Sequence, residues 1–220
     1  ELGEKAKIES ELEAALGPFE LLEFSSVSPV VSDAAVRNAA LAVVIAALFI
    51  MGYVRFAFST LEKPWRYAIC AIIALFHDTL IVLGFFAVLG PILGLEVNLM
   101  FITGVLTAIG FSVHDSIVVF DRIRENITFS PRNSLVENVN LALTQTLARS
   151  LNTSLTLLLP IGALLLLGGD TIRSFLMSIF IGVIVGTYSS IGLAAQLLVS
   201  WEVGDFRRWL RIGKSDRDMA

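Results

Sequence analysis

The sequence predicts an all-α membrane protein, a polytopic helical bundle preceded by the remnant of an α+β extracytoplasmic domain. Three observations predict it. Charged residues make up 16% of the chain and hydrophobic ones 55%, whereas a soluble domain is about 25% charged. Five apolar stretches reach the length of about 20 residues that crosses a bilayer. Lys and Arg cluster in alternate connections, as the positive-inside rule requires of a chain that threads a membrane repeatedly.

The first 35 residues form no span. "KIESELEAALG" has helical spacing and stops at Gly17; "FELLEFSSVSPVVS" has the pattern of an extended strand with Pro29 near its end. One helix and one strand cannot build a core. We therefore expect residues 1–35 to be the last piece of an extracytoplasmic domain, the other reading being an ordered leader. Residue 1 is Glu, from which we expect the chain to start inside a longer gene product. The leading residues are charged and lack the apolar core of a signal peptide.

The transmembrane domain covers residues 36–200. Its spans are Val36–Phe58, Tyr67–Gly90, Asn98–Phe120, Leu141–Leu167 and Phe175–Ser200. "STLEKPWR", "PILGLEV" and "GGDTIR" are short links. "DRIRENITFSPRNSLVENVN" is the longest, polar and partly helical beside the membrane. Residues 201–220 form a tail. Arg55, Lys63 and Arg66, then Arg122, Arg124 and Arg132, then Arg207, Arg208, Arg211, Lys214 and Arg217 all fall on one side, which should be cytoplasmic. The other side holds only Lys5, Lys7, Arg37 and Arg173. The N-terminal segment is then outside and the C-terminus inside. Cys70 is the sole cysteine, so no intrachain disulfide forms.

Ionisable groups inside a span cost about 2.5–3.5 kcal/mol near its centre on insertion scales and mark ion pathways. His77 and Asp78 sit near the middle of the second span, His114 and Asp115 in the third, and Arg149 in the fourth. Spans three and four run in opposite directions, which puts Asp115 and Arg149 at similar depth, where they could pair. Neighbours at i and i+1 do not face each other on a helix, so neither His–Asp dyad is expected to pair internally. Arg149, Asn152, Thr153 and Thr156 share one polar face, expected to point inward. Gly104, Ala108, Ser112 and Asp115 share another, made of small residues that let backbones approach. Ser178, Gly182, Gly186, Ser190 and Ala194 form a third stripe, for packing. The first span has almost no internal polar group and should face lipid. Pro160 can kink the fourth helix. Asp121, Arg122, Arg124 and Glu125 read as a charged cluster at the cytoplasmic interface, where cations suit a helix C-terminus and an anionic leaflet. A static salt bridge between Asp115 and Arg149, a snorkelling Arg149, and a metal site at the two dyads are the blander or rarer alternatives. No nucleotide-binding Gly-rich loop and no HExxH spacing occurs, which argues against hydrolytic enzyme chemistry; energy must come from a gradient or a partner.

Four blocks carry a resemblance. "SSVSPVVSDAAVRNAALAVVIA", "FHDTLIVLGFFAVLG", "NLMFITGVLTAIGFSVHDSIVVFDRIREN" and "LARSLNTSLTLLLPIGALLLLGG" closely resemble the SecF family of the RND superfamily, from about Phe24 to Arg211. The resemblance implies six helices, five of them present here, around an extracytoplasmic ferredoxin-like domain of which this chain holds only the end. It implies an inner (plasma) membrane protein that works with SecD and the SecYEG translocon. Such a protein uses the proton-motive force, with no bound cofactor, to help draw exported polypeptides across the bilayer. No nucleic-acid partner is implied. It also implies that Asp115 and Arg149 belong to a proton relay, which an Asp of SecD would complete; His114, Asp78 and His77 are further candidates. Many relatives carry Asn where this chain has His114, so whether His114 titrates stays open. With Arg149 close, Asp115 is favoured as the carboxylate; with Arg149 withdrawn, burial favours the neutral acid. An exporter of small molecules or lipids from the same superfamily and a non-transporting scaffold are the competing functions. "FDRIREN" argues against the first.

Overall fold

The computed structural model describes residues 8, 10–15, 17, 29–61 and 63–204. The chain divides into two units, Glu1–Ala34 and Ala35–Ala220. In the first, residues 10–15 are helical, and the Gly17 N–H donates to the Glu13 carbonyl at 3.0 Å with φ +85°. That is the glycine stop read from the sequence: without a Cβ, Gly17 enters the left-handed region at no steric cost. The expected strand lies mostly outside the described residues, and its last part is different. Pro29–Ser32 opens a helix. Proline has no N–H to lose at a first helical turn, and its fixed φ suits that position.

The helices of the bundle are α1 (Pro29–Ala57), α2 (Pro64–Leu93), α3 (Leu99–Phe129), α4 (Leu135–Leu167), α5 (Arg173–Tyr188) and α6 (Ala195–Val203). A 3₁₀ turn, Asp170–Ile172, leads into α5, and a π-helical turn, Ser189–Ala194, joins α5 to α6. Among the described residues, five segments are long and apolar enough to cross a membrane, the last running from Asp170 to Val203.

The helix ends are set locally. Pro64 occupies the first turn of α2. At its other end the Leu95 N–H reaches back to the Gly90 carbonyl at 2.9 Å while Gly94 takes φ 66°, the bonding of a Schellman stop. Helix α2 runs through Pro91 and α4 through Pro160. Asn98 caps α3 by accepting from the Phe101 N–H at 3.0 Å. Ser134 and Glu137 form a reciprocal capping box at the start of α4.

The longest expected link shrinks to residues 130–134. Helix α3 continues through "DRIRENITF" because its charges satisfy one another at i, i+3: Arg122 pairs with Glu125, and Arg124 with Asp121 at 2.8 Å. At about 1.5 Å per residue its 31 residues exceed a hydrocarbon core of about 30 Å.

Two apolar clusters fill the bundle. One, at the end holding the α1–α2 and α3–α4 links, centres on Phe58, Tyr67, Phe120 and Ile123. There the Phe58 and Tyr67 rings stack at 5.5 Å, and Phe120 meets both edge-on. The other groups Val82, Phe86, Phe101, Val105 and Ile109. The first span buries only 6% of its apolar window, in keeping with a helix that faces lipid.

Helices α3 and α5 pack closest, through the small residues that the sequence singles out. A Cβ on Gly104 would lie 2.7 Å from the Phe175 carbonyl oxygen and from the Ser178 Cβ; one on Gly186 would lie 2.8 Å from the Ser112 Cβ; one on Gly182 would overlap the Ala108 methyl. The two stripes therefore interlock backbone to backbone, which is how apolar helices gain packing energy in lipid.

Candidate functional site in the polar layer

Between the two apolar clusters the bundle carries buried oxygen. Asp78, Ser112, Asp115, Ser116, Ser150, Ser154, Thr187, Ser189 and Ser190 are all buried. In hydrocarbon each such group needs a partner, and most find one.

Asp78 is the best supplied. Its Oδ2 accepts a hydrogen bond from the Ser112 hydroxyl and another, at 2.7 Å, from the Ser189 hydroxyl. Its Oδ1 lies 3.0 Å from His77 Nδ1. This corrects the expectation that adjacent residues on a helix do not meet. Their Cα–Cβ bonds diverge, yet Nδ1 is the ring nitrogen nearest the backbone and the imidazole swings across the gap. Ser189 opens the π-helical turn, whose extra residue per turn alters where the side chains beyond Tyr188 point. The sequence reading missed Ser189, and no sequence signal marks a π turn.

Asp115 lies on the Gly104–Ala108–Ser112 face of α3, as expected, and is buried. It borders a crevice of about 20 Å³ between α3, α4 and α5, with Ser112, His114, Thr153, Leu157, Val183 and Thr187 around it. That space admits about one water molecule. Among the described residues the Asp115 carboxyl makes no hydrogen bond or ion pair.

Arg149 does not pair with Asp115. It is exposed, as are Asn152, Thr153 and Thr156, so the expectation that this stripe points into the bundle is corrected. Helix α4 turns a neighbouring stripe inward instead: Asn138, Val139, Ala142, Thr146, Ser150 and Ser154. Each inward serine sits one residue from an outward polar group, about 100° round the helix. Ser154 bonds Thr187 of α5, and its small side chain lets α4 approach. Of the predicted stripe only Thr153 reaches the crevice. An Arg and three hydrogen-bonding side chains are thus left on an open face of a membrane helix.

The predicted charged cluster is also a structural tie. The Arg124 guanidinium donates to the Ala57 carbonyl at 2.9 Å and lies 5.5 Å from the Phe58 ring centroid. Arg122 Nε donates to Gln145 Oε1 at 2.7 Å. One end of α3 is held to α1 and α4 in this way.

The family described as "Protein export membrane protein SecD/SecF, C-terminal" matches residues 7–204. The chain belongs to the SecD/SecF family. Among its SecF relatives, the protein translocase subunit SecF of Thermobaculum terrenum is 50% identical over 94% of this chain and 66% of its own length. That of Anaerolinea thermophila is 42% identical over 88% and 63%. The chain therefore spans just under two thirds of the length of these SecF subunits. In Thermus thermophilus a protein translocase subunit SecDF is 42% identical over 88% of this chain and 24% of its own. The crystal structure of SecDF, a translocon-associated membrane protein, from Thermus thermophilus superposes with a TM-score of 0.78 at 40% identity. It covers 90% of this chain and 26% of that one. A structure of SecDF in a super-membrane-facing form gives 0.73 at 37%, covering 96% and 27%. The all-α bundle is thus a SecF-type membrane fold.

Proposed function

We propose that this chain is the membrane part of a SecF subunit that couples the proton-motive force to polypeptide export, acting beside a SecD subunit and the SecYEG translocon in the inner membrane. The SecF names of its relatives and the translocon-associated SecDF of similar fold support the assignment. The SecDF relative, in which the matching segment is a quarter of one chain, supports SecD as the partner. The Lys and Arg pattern supports an outer N-terminal segment and a cytoplasmic C-terminus.

One observation carries the mechanism: Asp115 is buried on a water-sized crevice with no ion-pair partner among the described residues. A carboxylate so placed is costly, and the neutral acid is the form this arrangement favours. Arg149 stands on the adjacent helix, on its open face. A motion of α4 that brought the guanidinium to the crevice would favour the anion and release the proton. Proton occupancy would then follow helix position, and each proton crossing about 100 mV would supply about 2.3 kcal/mol. No cofactor is required. The test is export with and without a proton gradient in membranes carrying Asp115→Asn, which keeps shape and hydrogen bonding but cannot cycle. Loss of the gradient-dependent part supports the reading; its full retention contradicts it.

A further inference from the structure

Asp78 belongs to no step of that mechanism, yet it is more deeply buried than Asp115 and better provided with polar partners. Its surroundings form a row. His77 is partly exposed at the outside of the bundle and lies 3.0 Å from Asp78 Oδ1. Ser112 bonds Asp78 Oδ2 and is itself a wall of the crevice that holds Asp115. Apolar side chains of the two core clusters lie on either side, with Ala71 and Ala74 toward one end and Val82 and Phe86 toward the other. Ser189 bonds the same carboxylate oxygen but does not line the crevice. It has a second acceptor in the Gly186 carbonyl at 3.2 Å.

We propose that Asp78 is a second proton-carrying carboxyl, and that Ser112 passes its proton to the Asp115 crevice. The inference rests on the reading of Asp115 as a proton site. When Asp78 is ionised, the Ser112 and Ser189 hydroxyls both donate to Oδ2. When Asp78 is protonated, it donates to the Ser112 oxygen, whose own hydrogen then turns to the crevice. Transfer breaks the Asp78 O–H bond and forms a new one on Ser112. In the same step the original Ser112 proton leaves to a water molecule in the crevice and from it to the Asp115 carboxylate. Asp78 ends as the anion and Asp115 as the acid; a rotation of the Ser112 hydroxyl resets the row. A protonated His77 returns its Nδ1 proton to Asp78 Oδ1, is left neutral, and takes up another proton before the next transfer. Among the described residues, the one charged or titratable group that meets Asp78 is His77 from α2 itself, with hydroxyls offered by α3 and the π-helical turn.

The blander role for this cluster is a latch that fastens α2 to α3 and to the π-helical turn. Two serines separate the roles, since each substitution removes one hydroxyl donor to the same carboxylate oxygen and leaves the Cβ in place. The experiment measures gradient-driven export by membranes holding equal amounts of the full-length protein with its partner subunits. The variants are Ser112→Ala, Ser189→Ala, Asp78→Asn and Asp115→Asn. The relay expects Ser112→Ala and Asp78→Asn each to cut the gradient-dependent rate about a hundredfold or more, the low side of what a positioned proton carrier contributes. Ser189→Ala should cut it no more than about fivefold, one hydrogen bond's worth. Equal small losses for the two serine variants, with Asp115→Asn still abolishing the response, overturn the relay and leave the Asp115 reading standing. Full gradient dependence in Asp115→Asn overturns that reading and the relay together. The serine pair decides the matter even where Asp78→Asn fails to insert.

Discussion

The Asp78 carboxylate accepts the Ser189 hydroxyl at 2.7 Å, although 111 positions separate them in the chain. With the Ser112 bond, this ties α2 to α3 and to the π-helical turn at mid-bundle. Removing the acceptor leaves two buried hydroxyls without it. Asp78→Ala should therefore lower stability by about 1–3 kcal/mol, toward the low end because each serine can turn to a helix carbonyl. Asp78→Asn, whose amide oxygen still accepts, should cost less. Unfolding midpoints in detergent compare the two; equal losses would mean that the carboxylate's contacts contribute nothing.

The α3–α5 contact makes a sharper stability prediction. Gly182 faces the Ala108 methyl with no room for a Cβ, whereas Gly52 has open space. Gly182→Ala should cost about 1–3 kcal/mol by overpacking, and Gly52→Ala should be tolerated. Ala108→Gly, added to Gly182→Ala, should recover part of the loss because the two positions share one contact. A thermal midpoint that ignores the pairing would show that the helices do not approach as described.

Arg124 offers a test of what holds α1, the least buried span. Arg124→Lys keeps the charge but loses the planar fork that serves the Ala57 carbonyl, Phe58 and Asp121 together. We expect a loss of about 1 kcal/mol for Lys and somewhat more for Ala. The protease susceptibility of the α1–α2 link should rise in the same order. Unchanged susceptibility in both variants would place the tie elsewhere.

The open stripe on α4 predicts a partner. Asn152 and Thr156 are exposed beside Arg149 in the middle of a membrane helix. Hydrogen-bonding side chains there are costly against lipid. Cysteines at Asn152 and Thr156 should cross-link to a SecD-type membrane protein in native membranes. Cysteines at Leu41 and Phe49, on the lipid-facing first span, should not. Cross-linking from α1 alone would reverse the assignment of faces.

These two faces show where sequence was informative. Apolar length and Lys/Arg alternation revealed five spans because a bilayer fixes both. The Gly182 and Ala108 stripes were legible because close backbone approach permits few residue types. The outward turn of Arg149 was not: helical spacing shows which residues share a face, not which face is covered, and here Ser150 and Ser154 took the inner position. The reach of α3 to Phe129 was hidden because its last turns leave the apolar region and are held by ion pairs. The Asp78–Ser189 bond depends on a π turn, and the His77–Asp78 contact on a rotamer; neither has a periodicity to read.

Asp115 and Arg149 carry the central claim, and one double variant tests it most directly. Under the switch, Asp115 must change its protonation and Arg149 must favour one of the two forms. Asp115→Asn, Arg149→Gln removes both charges and keeps hydrogen-bonding groups of similar size. The measurement is the rate of polypeptide export with and without a proton gradient, in membranes holding equal amounts of the protein and its partners. The account predicts that the double variant inserts and assembles but gains nothing from the gradient, like either single variant. Full gradient-dependent export from the double variant would contradict it and leave the two residues a structural role only.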